Sequence, residues 1–354
     1  MIPASVHPAP GDHKLLVRLT RLIESFGRPR IAVVGDLIAD EFIYGGIDRV
    51  SREAPVLILK YDSTEVTPGG AGNAAHNVAA LGGVACLVGL LGADETGRRL
   101  ARRFPRQVVR TGLVRPAGYH TPTKTRILAG GVHSARQQVV RIDRDSRPVT
   151  REIRAQVTEA AVAAVAGCDA VIVSDYGAGL VTPSLVAAVK RRLPRRGRRP
   201  AAPILIDSRY ALLKYRRLTI AAPNESEVEQ TLGVTVGDDT HALERAGREL
   251  LKRTQMRAML VTRGSRGMAL FEPGRPTQHI SIYGTDEVAD VTGAGDTVIA
   301  TMAMALSVGA SAFEAALLAN YAGGLVVMKR GTATLSADEL QQAVATDLAS
   351  GQGA

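Results

Sequence analysis

From residue 30 onward, short wholly apolar runs alternate with longer stretches whose apolar residues recur every three to four positions. Ile31–Val34, Ala85–Leu91, Ala170–Ser174, Ile204–Asp207, Thr219–Ala221 and Met259–Thr262 are short and mostly apolar, as strands buried on both faces are. Between them, Gly72–Leu81, Glu152–Ala166, Ser184–Arg192, Glu225–Leu232 and Thr240–Lys252 carry helical spacing. Such alternation predicts an α/β protein with a mostly parallel sheet and helices on both faces. Several strands end in Gly or Asp, at Gly35-Asp36, Gly92, Ser174-Asp175 and Asp207. Ligands of such folds bind beyond the carboxyl ends of the strands.

Two regions break the rhythm. Val56–Tyr61, and Thr123–Ala129 with Gln137–Asp143, alternate like strands with no helix between them. They predict a small separate sheet, a lid with strands near 42–62 and 112–143, able to close over a substrate and exclude water. Lys14–Phe26, Ala312–Met328 and Ser336–Val344 read as helices, the last with a capping box at Ser336 and Glu339. One domain is expected over 13–345, with a Pro-rich disordered tail at 1–12 and a second tail at 346–354.

Composition narrows the function. The chain has 354 residues with 45% hydrophobic and 22% charged, enough for a full core. Aromatics are 4% with no Trp, which argues against a base-stacking surface for single strands. Cys86 and Cys168 lie in apolar runs without metal spacing and are expected as free, buried thiols. No apolar run nears the ~20 residues of a membrane span, and the first thirty residues lack a signal-peptide core, so a cytoplasmic protein is expected. The net charge of +10 is concentrated in Lys190–Pro200. That run reads as a solvated loop, nucleic-acid binding is not expected, and the remaining excess favours small anionic substrates.

The chemistry lies in two glycine clusters. Asp290-Val291-Thr292-Gly293-Ala294-Gly295-Asp296 precedes the apolar run Thr297–Leu306. Glycines before a helix let backbone N–H groups converge on an anion at the positive end of the macrodipole. Asp296 at the rim would repel phosphate, but it suits a base that deprotonates a hydroxyl attacking phosphorus. Plain helix capping would use the same residues. The second cluster, Pro68-Gly69-Gly70-Ala71-Gly72-Asn73, opens another helix and holds Ala75 where a dinucleotide fingerprint needs its third glycine.

Together the clusters resemble the two signatures of the ribokinase (PfkB) family of carbohydrate kinases, at that family's spacing, over about residues 30–345. Within it the chain most resembles the kinases of D-glycero-β-D-manno-heptose 7-phosphate. Asp48-Arg49-Val50-Ser51-Arg52-Glu53-Ala54-Pro55-Val56, Val173–Tyr176, Pro223–Glu227, Val261–Gly264 and Val291–Val298 also carry the likeness. It implies a three-layer α/β/α ribokinase-like fold with a lid, and ATP-dependent phosphorylation of the anomeric hydroxyl. Two features depart: Asp207-Ser208-Arg209 stands where the family has Asp-Pro-Lys, and the loop at Gly130–His133 is long. No histidine stands in the His-x-Gly-His pattern of the nucleotidyltransferase domain of bifunctional relatives, so adenylyl transfer is expected from another protein.

The resemblance assigns Asp296 as base, with Gly293, Ala294 and Gly295 supplying amides to the transferred phosphoryl group. Asp36, Gly69, Gly70 and Asn73 would hold the sugar. The sugar's own phosphate needs cations, and Arg49, Arg52, Lys124, Arg126 and Arg141 are the lid candidates; Lys124 and Arg126 share a face by strand alternation. Asn224, Glu225, Ser226 and Glu227, with Thr262 and Gly264, would border ATP, and Glu227 would act on Mg²⁺ through water. Adenine is expected against 286–291. A sugar phosphate and ATP are the expected partners, with a homodimer formed through the lid. Another sugar or sugar-phosphate kinase of the family is the alternative.

Overall fold

The computed structural model describes residues 13–130, 136–193, 201–284, 290–329 and 331–350. The strands in chain order are β1 (Arg30–Gly35), β2 (Leu37–Val50), β3 (Leu57–Gly70), β4 (Val84–Leu90), β5 (Val108–Val114), β6 (Thr123–Gly130), β7 (Gln137–Arg144), β8 (Ala170–Asp175), β9 (Ile204–Ser208), β10 (Ile220–Ala221), β11 (Ala258–Thr262), β12 (Met268–Phe271) and β13 (Gln278–Ile280). Nine form one sheet in the order β13-β12-β11-β10-β9-β8-β1-β4-β5, and four form a second in the order β3-β2-β6-β7. The large sheet is parallel from β11 to β5, and β12 and β13 add antiparallel at one edge.

Alternating residues of the central strands feed two cores. Ile31, Val33, Ala85 and Leu87 pack with Ala71–Ala80, Ala294–Ser307 and Ala312–Val327 on one face. Ala32, Val34, Cys86 and Val88 pack with Arg151–Ala164, Pro183–Arg192 and Thr240–Thr254 on the other. This is the expected three-layer α/β/α fold. The N-terminal helix His13–Ile23 buries Leu16, Leu19, Leu22 and Ile23 in the first core. Both cysteines are free and buried.

The small sheet grows out of the large one. Asp36 alone separates β1 from β2, and β3 ends at Gly70 against the helix Ala71–Ala80. The N–H of Ala71 donates to the Asp36 carbonyl at 3.0 Å, so both long lid strands leave the core at one point. The lid expected at 112–143 is corrected at its start: β5 pairs with β4 in the large sheet, and the lid resumes at Thr123. The last helix, Ala337–Ser350, continues through residues expected in a tail from 346. The tail 1–12, His133 and the basic run from 194 to 200 lie outside the described residues.

Candidate active site

The helix Ala294–Ser307 starts without a side-chain cap, from Gly293 in the left-handed region at φ 80°. A Cβ there would lie 2.4 Å from Asn73 Nδ2, so both the backbone angle and the neighbour exclude a side chain. Ala294 N–H donates back to Val291 O, whereas the amides of Gly293, Gly295 and Asp296 find no protein acceptor among the described residues. They form the positive end of the helix, open to an anion.

Asp296 sits in the first turn, 2% exposed. Its Oδ2 accepts from Asn73 Nδ2 at 2.9 Å and its Oδ1 from the Tyr176 hydroxyl at 3.1 Å. Burial pushes this carboxyl up to about 7, against the lowering effect of those two hydrogen bonds. Burial likewise keeps the Tyr176 phenol well above its usual range, so Tyr176 remains a donor. Asn73 is itself fixed: Asn77 Nδ2 donates to its Oδ1 at 3.1 Å, and Thr297 Oγ1 donates to Asn77 Oδ1 at 3.1 Å. Asn73, expected to offer its amide to sugar hydroxyls, is fully buried and spends both polar groups inside the protein. In this arrangement it holds Asp296 in place.

Asp36 lies at the carboxyl edge of β1, and its Oδ2 accepts from the N–H of Tyr176 at 2.9 Å and of Ala178 at 3.2 Å. Burial raises its carboxyl to about 6. Gly69 is set by a neighbour that sequence reasoning did not nominate. A Cβ on it would meet Asp40 Oδ2 at 2.2 Å, and Asp40 Oδ1 is the partner of Arg126 Nη1 at 2.5 Å. Arg126 also lies over Phe42, 5.4 Å from the ring centre.

The parallel pairing of β2 with β6 sets Asp40 beside Lys124 and Phe42 beside Arg126, and β7 sets Asp143 and Arg141 opposite them. These residues share the face turned to the large sheet, since Lys124 Nζ stands 5.2 Å from the Tyr176 ring centre. Three of the five expected cations, Lys124, Arg126 and Arg141, are therefore on the face turned to the large sheet. Arg141, however, is held by Asp143 at 2.7 and 2.5 Å. Arg49 and Arg52 are corrected: they lie exposed at the far end of the hairpin, roughly 40 Å along β2 from Asp36 at ~3.3 Å per residue, because the strand is longer than its apolar pattern suggested.

A cavity of about 520 Å³ adjoins the amide-rich helix start, lined by Asn224, Thr262, Gly264, Val291, Ala294 and Gly295 among others. Its size suits a nucleotide-sized ligand. Thr262 reaches Asn224 through a β-bridge. The other members of the 224–227 group do not line it. Glu225 is instead ion-paired to Arg263 at 2.7 Å and to Arg266, Ser226 Oγ donates to Asn224 Oδ1 at 2.7 Å, and Glu227 closes a capping box on the Asn224 N–H at 3.0 Å. Burial raises the Glu227 carboxyl, and it raises Asp207 well above its range with Glu227 adding repulsion. Of the adenine wall expected at 286–291, residues 286–289 lie outside the described residues, and Val291 lines the cavity. Tyr176 and Asp40 were missed as site residues; Tyr176 closes the Val173–Tyr176 segment that carries the family likeness, just past β8, whereas Asp40, within β2, had no signal but its position.

The sequence matches the family described as pfkB family carbohydrate kinase over residues 29–339. The bifunctional protein HldE of Trichlorobacter lovleyi is 39% identical over 318 residues, 89% of this chain and 62% of its own length. That of Aeromonas salmonicida is 39% identical over 336 residues, 94% of this chain and 67% of its own. The chain thus spans about two thirds of the length of these curated relatives. Among solved structures, Arabidopsis thaliana ribokinase complexed with ribose and ATP aligns with a TM-score of 0.66 at 21% identity, over 91% of this chain and 99% of its own. The phosphofructokinase-2 of Escherichia coli in complex with fructose-6-phosphate aligns at 0.70 and 17%, over 90% and 98%. These two share its fold. With the match running from the first strand into the last helix, the chain belongs to the pfkB family of carbohydrate kinases, phosphotransferases that act on an alcohol group.

Proposed function

We propose that this chain uses ATP to phosphorylate the anomeric hydroxyl of D-glycero-β-D-manno-heptose 7-phosphate, giving the 1,7-bisphosphate of the ADP-heptose route. The observation that carries the reading is the pairing of Asp296, a buried carboxyl poised near neutrality, with the open amides of Gly293, Gly295 and Asp296. Ionised Asp296 takes the proton of the acceptor hydroxyl, whose oxygen attacks the γ-phosphorus while the bond to the ADP oxygen breaks. The amides stabilise charge growing on the transferred group. Asn73 and Tyr176 hold the carboxylate toward the acceptor. Asp36, Gly69 and Gly70 form the sugar side of the site, and the Asn224–Thr262–Gly264 cavity takes the nucleotide.

The basic lid face supports a phosphorylated sugar over a neutral one, and the Asp48–Val56 segment together with HldE relatives at 39% identity supports the heptose. Among the described residues no three His, Cys, Asp or Glu cluster to cage a metal. Mg²⁺ keeps its waters and leans on phosphates; Glu227 and Asp207, neighbouring acids that repel each other, would hold it through water, where it would neutralise phosphate charge. The free thiols fit a reducing cytoplasm, and no helix among the described residues is long and apolar enough to cross a membrane. A homodimer through the lid is supported by the exposed Val50, Val56, Leu57, Tyr61, Val140 and Ile142, all on the small sheet or its hairpin.

An ADP-release assay tests the substrate. Heptose 7-phosphate should be turned over with a kcat/KM well above that of unphosphorylated heptose, ribose and fructose 6-phosphate. Preference for one of the others would replace this substrate with another of the family's sugars.

A further inference from the structure

Where the lid meets the carboxyl edge of the large sheet, two cations flank the Asp175-Tyr176 turn, and among the described residues no acid pairs with either. Lys124 stands on the lid face over Tyr176. Arg209 follows β9 on the sheet side, its guanidinium 5.6 Å from the ring centre of Tyr210. The Arg209 N–H donates to the Asp175 carbonyl at 3.0 Å, one residue before the Tyr176 that Lys124 overlies, and Arg209 adds to burial in disfavouring the Lys124 charge. The other cations of this lid face are committed, Arg126 to Asp40 and Arg141 to Asp143. Among the described residues, Lys124 and Arg209 form no ion pair within 4 Å of a carboxylate. Acids do surround the pair at longer range: Asp40 and Asp143 on the lid beside Lys124, and Asp207 and Glu227 on the sheet side beside Arg209.

Like charges brought together in a partly desolvated gap are unfavourable until an anion joins them. Three anionic groups have to be placed in this site. On the proposed reading the nucleotide phosphates face the cavity at Asn224, Thr262 and Gly264, whose lining includes neither Lys124 nor Arg209, although Arg209 also stands near the Glu227 and Asp207 assigned to Mg²⁺. The transferred phosphoryl group faces the amides at Gly293–Asp296. What remains is the phosphate the sugar already carries. Both cations are long, donor-rich and able to grip its oxygens from opposite sides, the arginine as a planar fork and the lysine as a point charge.

We infer that Lys124 from the lid and Arg209 from the sheet edge clamp the phosphate that the sugar brings with it. Arg126 is left out of the clamp because its charge is already paired with Asp40 through Nη1. The clamp rests on the sugar-phosphate reading above and adds a residue which that reading did not include. It also ties substrate charge to lid position, since the phosphate cross-links the two sheets.

The test is steady-state kinetics of Arg209→Met, Lys124→Met and Arg209→Lys beside the parent enzyme, with heptose 7-phosphate and unphosphorylated heptose as alternative acceptors. Each methionine variant should raise KM for the phosphorylated sugar by about 10–100-fold, as loss of one charged hydrogen-bonding partner implies. KM for ATP and turnover of the unphosphorylated sugar should stay within about twofold for Arg209→Met, and Arg209→Lys should recover part of the loss. A rise in KM for ATP in place of KM for the sugar phosphate would assign Arg209 to the nucleotide and overturn the clamp. Equal losses on both sugars, or unchanged KM for the phosphorylated one, would overturn it too. Should the parent enzyme itself show no preference for the phosphorylated sugar, the proposed substrate fails; should it keep that preference in Arg209→Met, the clamp alone fails.

Discussion

Asp296 is caught between two demands. Folding favours its neutral form because it is buried, and catalysis requires its ionised form. The pKa near 7 predicts that kcat/KM falls with slope one as pH drops below about 7, since only the carboxylate can accept the hydroxyl proton. Lys124→Met removes a cation that lowers this pKa, so a pH–rate profile should show the acid limb displaced to higher pH. Between about pH 4 and 7 the folded chain holds a proton that the unfolded chain has released, so this group's contribution to stability is lost as pH rises through that window. Asp296→Asn keeps a carbonyl for Asn73 and an amide for the Tyr176 hydroxyl. Denaturant unfolding at pH 8 should find it more stable by about 2–4 kcal/mol, while turnover falls by at least ~10²–10⁴-fold; a destabilised variant with parental turnover would sink the assignment. Asp296 and its glycines were legible in sequence because their chemistry is local. Tyr176, Asp40 and the inward use of Asn73 were not, because each depends on which strand lies beside which.

At the scale of elements, the start of the Ala294–Ser307 helix is the most constrained junction. Gly293→Ala should both strain the left-handed turn and push on Asn73. We expect a cost of about 1–3 kcal/mol and a turnover loss that exceeds any rise in KM for either substrate, read by thermal melts and initial rates together. The buried strands were legible because parallel strands covered on both faces read as unbroken apolar runs. The short antiparallel edge strands β12 and β13 were not, and neither was β5, whose exposed Arg110 and Thr111 interrupt its apolar run. The helix Glu95–Arg103 was missed because Leu100 is its one large apolar residue; it stands on an Asp94 cap and Glu95 pairs with Arg98 and Arg99. The lid was legible as alternation, but its extent was not, since polar strands in a thin sheet carry no apolar run to mark their ends.

For the whole molecule, the apolar side chains exposed on the small sheet predict self-association there. Light scattering should give a dimer for the parent protein and a monomer for a Leu57→Lys, Ile142→Lys double variant, with the kinase core still folded by circular dichroism. A dimer that survives both changes would move the interface elsewhere. The large sheet, its two helical layers and the position of the site were all implied by the order of elements, because parallel α/β connections leave few topologies.

The single residue between β1 and β2 gives the architecture a mechanical property. Asp36 is at once the turn from which the lid departs and, on the proposed reading, an acid on the sugar side of the site, and its carbonyl also receives the N–H that fixes the lid's return strand. Any tug on its side chain by an arriving hydroxyl is therefore applied at the fulcrum. On that reading the enzyme would need no relay to tell its cover that the cup has been filled.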